Sequence, residues 1–153
     1  MVWSCMSVKG FGEAILITEN MDARIYVEVL EKGVAASAEY LFGSRNFVFM
    51  QDNDPKHRSG LAKEWFRSHG IQVMEWPANS PDMNPIEHAW KRLKERTRAL
   101  GDTKSKAQLW ETVQTALQDL WYKEDKEYFK TLVHSMPNRV KALYEQRGGY
   151  TAY

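Results

Sequence analysis

The chain has 153 residues, 43% of them hydrophobic and 27% charged, with six Trp, seven Tyr, six Phe and a formal net charge of +1. That length suits one domain with a sizeable core, and the near-neutral balance excludes nucleic-acid binding through bulk charge, so any such surface must come from local clustering. A single cysteine, Cys5, excludes an internal disulfide framework and fits a reducing compartment. Its alternation with apolar neighbours marks a buried, inert thiol. No apolar run reaches membrane-spanning length, and Lys9 and Gly10 interrupt the start before a signal-peptide apolar region can form. No membrane partner is expected.

In chain order, Met1 to Ser7 and Ala14 to Thr18 read as two strands of a hairpin, with Val8-Lys9-Gly10-Phe11-Gly12 as the turn. A helix is predicted from about Asn20, with Ile25, Tyr26, Val29 and Leu30 on one face and Gly33 as its stop. Val34 to Arg45 is ambiguous. Phe47 to Met50 is a short buried strand that runs into the polar turn Gln51-Asp52-Asn53-Asp54-Pro55. Gly60 to His69 reads as a helix with Leu61, Trp65 and Phe66 inward and Gly70 as its stop, and Ile71 to Trp76 as a strand. A helix follows from Pro85, with Ile86, Trp90 and Leu93 or Lys94 on one side and Lys91, Arg92, Arg96 and Arg98 on the other. Two more segments are helical: Lys106 to Tyr122, with Trp110, Val113, Leu117 and Leu120, and Lys126 to Gln146, interrupted at Pro137. The second carries Phe129, Leu132, Val133 and Met136, then Val140, Leu143 and Tyr144. The tail from Gly148 is expected to be mobile. Mixed strands and helices followed by helices alone predict an α/β domain with a helical carboxyl end.

Two carboxylates stand out in this layout. Asp52 sits where a strand leaves the core, and Glu87 lies in the first turn of a helix. The carboxyl edge of an α/β sheet is where such folds bind ligands. Two hard carboxylates meeting there suit Mg²⁺ or Mn²⁺ and a phosphate substrate. Each also has a plainer reading. Asp at a turn start bonds nearby backbone amides, and Asn84-Pro85-Ile86-Glu87 matches a capping box in which Glu satisfies an orphan amide.

Gln51-Asp52-Asn53-Asp54-Pro55-Lys56-His57 and Trp76-Pro77-Ala78-Asn79-Ser80-Pro81-Asp82-Met83-Asn84-Pro85-Ile86-Glu87-His88-Ala89-Trp90 resemble the two signature blocks of mariner-type (Tc-like) DDE transposases. Thirty-four residues separate Asp52 from Glu87, the interval of the Asp-Asp-Glu branch. The opening Met1-Val2-Trp3-Ser4-Cys5-Met6-Ser7 and the closing Ser135-Met136-Pro137 and Gly148-Gly149-Tyr150-Thr151-Ala152-Tyr153 resemble that branch too. The likeness is to the carboxyl-terminal part of the catalytic domain. It implies an RNase H-like fold, with residues 1–100 as a partial catalytic core and 101–153 as a helical extension of the same domain.

The resemblance also implies chemistry. Asp52 and Glu87 become the second and third catalytic acids and ligands of Mg²⁺ or Mn²⁺, for phosphodiester cleavage and strand transfer in DNA transposition. The implied partners are DNA and a full-length transposase or a second copy, and the implied location is the nucleus. His57 either contacts DNA or orients a ligand beside the catalytic turn, or is only a turn histidine. His88 reads as a packing or solvent-facing residue. Lys91, Arg92, Lys94, Arg96 and Arg98 form the strongest basic patch, able to follow DNA phosphates or to be a solvated helix face. The family's first catalytic Asp lies upstream of the Val-Trp-x-Cys block, whereas the first Asp here is Asp22. The RNase H-like sheet is therefore expected to be incomplete, its first strand missing and its neighbours' edges unpaired. Marginal stability, a rearranged strand pairing or dependence on another chain, and no activity from these residues alone, follow as expectations. The alternative is a non-catalytic remnant that binds nucleic acid or a transposase.

Overall fold

The computed structural model describes residues 1–43, 46–76, 83–120, 126–147 and 149, with residue 126 described by its backbone alone. The contacts divide the chain into two compact units. The first holds Met1–Cys5 and Gly12–Ser80, and the second Met6–Phe11 and Pro81–Tyr153. Part of the second signature block, Pro77-Ala78-Asn79-Ser80-Pro81-Asp82, lies outside the described residues, as do Trp121, Tyr122 and, apart from Gly149, the tail expected to be mobile.

In the first unit, β1 (Val2–Trp3) pairs antiparallel with β4 (Ile15–Leu16), Val2 opposite Leu16 and Trp3 opposite Ile15. The hairpin predicted from sequence is present, and its tip belongs to the second unit. Helix α1 (Ala23–Val29) starts at Asp22, whose carboxylate accepts from the Arg24 and Ile25 amides at 2.8 and 2.9 Å. The helix does not stop at Gly33. It continues through a π-helical segment, Leu30–Ala35, into α2 (Ala36–Phe42), and ends at Gly43 with φ +64°. A methyl group at Gly33 would meet the Trp3 ring, so that glycine serves a close approach rather than a stop. Ser37, buried on the next turn, donates to the Gly33 carbonyl at 2.5 Å and accepts from the Glu13 amide at 2.8 Å, tying the helix to β4's approach.

Strand β5 (Val48–Phe49) runs parallel to β6 (Gln72–Val73), with Val48 opposite Gln72 and Phe49 opposite Val73. Parallel neighbours need a crossover, and α3 (Gly60–Ser68) supplies it, capped by Ser59 and stopped at Gly70 with φ +64°. Its inward stripe is Ala62, Trp65 and Phe66. Leu61, expected inward, is 53% exposed. Leu61 and Ala62 are both one turn from Trp65 or Phe66, and the smaller residue takes the crowded side. The core of this unit joins Tyr26, Leu30 and Val34 to Ala62, Trp65, Phe66 and Ile71, with Trp3, Phe47, Phe49 and Val73 packed at its margin.

In the second unit, β2 (Met6–Ser7) pairs with β3 (Gly10–Phe11). Three helices follow: α4 (Ile86–Ala99), α5 (Lys106–Asp119) and α6 (Lys126–His134). Each contributes a pair one turn apart or a flanking residue: Ala89 and Leu93, Ala116 and Leu120, Phe129 and Leu132. Phe11 completes their core, its ring 5.1 Å from Phe129 edge-on and 5.6 Å from Trp90. Leu93, not Lys94, is the inward residue of α4. Helix α7 (Met136–Glu145) departs from its predicted face: Val140 and Tyr144 are exposed, and the buried residue is Arg139, 2% exposed, whose Nε donates to Ser135 Oγ at 2.8 Å. Cys5 is half-buried and burial pushes its thiol above the usual value, with the Ser37 hydrogen bond opposing.

Candidate active site

The loop after β5 carries the first acid. Phe49's carbonyl accepts from the Met74 amide at 2.8 Å, which extends the parallel pairing to the point where the chain turns away. Gln51 then anchors the turn. Its Oε1 accepts from the Tyr26 hydroxyl at 2.5 Å and its Nε2 donates to the His57 carbonyl at 3.2 Å. Asn53 donates to the Trp76 carbonyl at 2.8 Å, tying the loop to the chain beyond β6. The amides of His57 and Arg58 both reach the Asp54 carbonyl, at 2.9 and 3.2 Å. Partial burial raises the Asp54 carboxyl, but its hydrogen bonds to the Lys56 ammonium and amide outweigh that and hold it below the ordinary value.

Asp52 has the local backbone bond that its plainer reading foretells: the Asp54 amide donates to Oδ1 at 3.1 Å. The same oxygen lies 2.6 Å from His57 Nδ1. Among the described residues no contact ends on Oδ2, and the side chain is 56% exposed. His57 is the opposite case. Its side chain is 15% exposed, its ring packs on Tyr26 with centroids 4.3 Å apart, and its Nε2 is shielded from solvent with no hydrogen-bond partner among the described residues. Burial, followed by the charges of Asp52 and Asp54, pushes the Tyr26 phenol well above its ordinary value.

The second acid opens α4. Asn84 accepts from the Ile86 amide at 3.3 Å, and the Glu87 amide reaches the Asn84 carbonyl at 3.2 Å. Neither hydrogen bond of the expected capping box forms among the described residues: the Asn84 side chain takes the Ile86 amide instead of that of Glu87. Glu87 is exposed, and among the described residues its carboxylate makes no hydrogen bond or ion pair. His88 is half-buried, its carbonyl accepting from the Tyr128 hydroxyl at 3.1 Å. Burial first, then the Arg139 and Lys91 charges, lower its imidazole below the ordinary value, as suits a packing residue.

The basic run divides on the helix. Lys91, Lys94 and Arg98 are exposed. Arg92 stands 5.3 Å over the Tyr128 ring and Arg96 reaches Asp119 at 3.5 Å, so these two are engaged within the unit. Asp52 and His57 are brought together in the first unit, while Glu87 and the basic residues belong to the second. Among the described residues no group of three or more His, Cys, Asp or Glu side chains could hold a metal ion. The donor chemistry of each acid nevertheless suits a hard divalent cation: among the described residues, Asp52 Oδ2 and the Glu87 carboxylate have no internal partner. Sequence reasoning missed Tyr26, Gln51, Tyr128 and Arg139. Only Arg139 left a trace, one helical turn after Ser135.

Comparison with known proteins places the chain in a family and a fold. A family model described as DDE superfamily endonuclease matches residues 1–110. The Tcb1 transposase of Caenorhabditis briggsae is 37% identical over 153 residues, covering all of this chain and 54% of that protein. The Tc1 transposase of Caenorhabditis elegans is 33% identical over the same span, again 54% of that protein. The chain thus spans about half the length of the curated relatives it matches. Among solved structures, the Mos1 transposase catalytic domain with Raltegravir and Mg superposes with a TM-score of 0.78 at 22% identity, over 97% of this chain and 74% of that one. The Mos1 paired-end complex with the left transposon end gives 0.81 at 21% identity, over 98% and 43%. The fold is that of the Mos1 catalytic domain, RNase H-like, with small sheets and a mostly helical second half. The chain belongs to the DDE superfamily of endonucleases, and its homologues are transposases of the Tc1/mariner type.

Proposed function

We propose that this chain is catalytic-domain sequence of a Tc1/mariner-type transposase, acting on DNA by cation-dependent phosphodiester cleavage and strand transfer. The observation that carries this reading is the state of the two acids. Asp52 and Glu87 occupy the acidic positions of the two signature blocks; both side chains are exposed, and among the described residues Asp52 Oδ2 and the Glu87 carboxylate are unengaged. Structural relatives described with Mg, with Mn and with transposon ends support a divalent cation and DNA as the ligands.

Asp52 and Glu87 would hold Mg²⁺ or Mn²⁺, which when bound activates the attacking hydroxyl and stabilises the leaving oxygen. The chain's own residues do the rest. The β5 loop holds Asp52 at a strand end, α4 holds Glu87 at its first turn, and Lys91, Lys94 and Arg98 offer cations to the DNA backbone. The family's chemistry uses a third carboxylate, so these 153 residues alone are proposed to be inactive. The protein acts in the nucleus, with DNA and a second transposase copy as partners.

The test is a Mn²⁺- or Mg²⁺-dependent nicking and strand-transfer assay on a DNA end, run on the longer transposase chain carrying these residues and on this chain alone. Asp52→Asn and Glu87→Gln should each lower the rate by more than the 10–100-fold typical of residues one step removed from a metal. Undiminished nicking by either variant rejects the assignment. A second reading, a non-catalytic DNA- or transposase-binding remnant, draws on the exposed Lys91, Lys94 and Arg98. It predicts salt-dependent DNA binding that survives Asp52→Ala, with no cleavage in any chain.

A further inference from the structure

We propose that His57 is a positioning residue for Asp52: it fixes one carboxylate oxygen and leaves the other to the divalent cation. This rests on the metal-binding reading of Asp52 given above. An ionised carboxylate has no proton to give, so in the 2.6 Å contact the donor is Nδ1. Charge-assisted bonds of this kind are the short, strong ones. Oδ1 also accepts from the Asp54 amide, so that oxygen is held from two directions while, among the described residues, Oδ2 is unengaged. An exposed carboxylate without such a hold would sample rotamers, and ordering it would fall on the binding step.

His57 can supply the hold because it is itself held. Its ring lies on Tyr26, which is 1% exposed in the core of the first unit. The Tyr26 hydroxyl donates to Gln51, and Gln51 donates to the His57 carbonyl. Ring and main chain are thus fixed by the same two residues. Direct DNA contact is the poorer account of His57, since Nδ1 is engaged and Nε2 is shielded from solvent.

The experiment titrates the isotope-labelled 153-residue chain with Mn²⁺ alone and follows paramagnetic broadening of the amide signals of residues 51–54. His57→Phe keeps a ring against Tyr26 and removes the donor. His57→Asn places an amide donor close to where Nδ1 stands. Broadening should require 10–100-fold more Mn²⁺ in His57→Phe than in the parent, and His57→Asn should recover most of the loss. Should the Phe variant unfold, Asn against His57→Gln, whose amide stands nearer the Nε2 position, makes the same distinction, with Asn expected to bind better. Equal midpoints for parent and His57→Phe, or Asn no better than Phe or Gln, overturn the inference alone. If Asp52→Asn broadens at the same Mn²⁺ as the parent, the cation site itself is wrong and the inference falls with it.

Discussion

Gly33 stands against the indole of Trp3, close enough that a methyl group at Gly33 would overlap the ring. One contact therefore joins β1 to the helix that carries Tyr26, and it does so inside the π-helical segment Leu30–Ala35. Such single-turn π insertions mark places where a helix has been adjusted to meet something. Here the neighbours are the Trp3 ring and, one turn on, the Ser37 bond to Gly33.

Gly33→Ala should destabilise the fold, although alanine is the better helix former. Propensity alone favours alanine by about 1 kcal/mol. Overpacking a filled site costs roughly 1–3 kcal/mol and should win here. Gly60 is the control, since nothing lies within 4 Å of a methyl group there. Gly60→Ala is expected to stabilise by about 0.4–1 kcal/mol. Urea unfolding of both variants checks this, and a Gly33→Ala midpoint at or above the parent's would contradict the contact.

That glycine also shows what a sequence can and cannot say. The hairpin, the βαβ crossover through Ser59 and Gly70, and the helices from Ile86, Lys106 and Lys126 are local: caps, turns and periodicity write them directly. A glycine after an apolar helical face reads equally well as a stop or as a close approach, and only the distant Trp3 decides. Leu61 and Arg139 misled for a related reason. Hydrophobicity picks the leucine and the valine of a turn, whereas space picked Ala62, and Arg139 lies inward, donating to the Ser135 hydroxyl. At the candidate site, the acids were legible because they stand in motifs. The Tyr26–Gln51 link was not: Gln51 opens the first block, but nothing in the sequence pairs it with a tyrosine on an apolar helix face until the fold joins them.

Tyr128→Phe tests the hydrogen bond from Tyr128 to His88 in the second unit. Phenylalanine keeps the ring beneath Arg92 and beside Phe129 and removes only the hydroxyl that reaches the His88 carbonyl at 3.1 Å. The expected loss is about 1 kcal/mol. Tyr128→Ala should lose more, since the ring contacts go as well. Comparing the two in denaturant melts is decisive: equal losses would mean the hydroxyl carries all of the effect and the ring none.

Asp22 should set part of the acid limb of stability. Its carboxylate caps α1, and the Ile25 amide first, then Arg24, holds it below the ordinary value. A carboxyl lowered by folding contributes stability in full above its unfolded value, about 3.9. That contribution disappears as pH falls through the folded value. Asn caps as well as Asp and does not titrate. Asp22→Asn should therefore match the parent near neutrality and fall less steeply in acid. Identical slopes for the two chains in pH-dependent melting would refute the linkage.

The divided basic run makes the sharpest prediction for DNA. Lys91, Lys94 and Arg98 are exposed on α4, while Arg92 and Arg96 are engaged by Tyr128 and Asp119. Each phosphate contact contributes about 0.9 to the slope of log affinity against log salt. Replacing the three exposed cations by Gln should lower that slope by up to roughly 3, measured by fluorescence anisotropy with an arbitrary duplex. Arg96→Ala should act differently. Asp119 is 15% exposed, and Arg96→Ala removes one ion-pair contact of a largely buried carboxylate, so the first effect is a lower unfolding midpoint. An unchanged salt slope in the triple variant would move the DNA-binding surface elsewhere on the chain, because the exposed cations would then be no more than a solvated helix face.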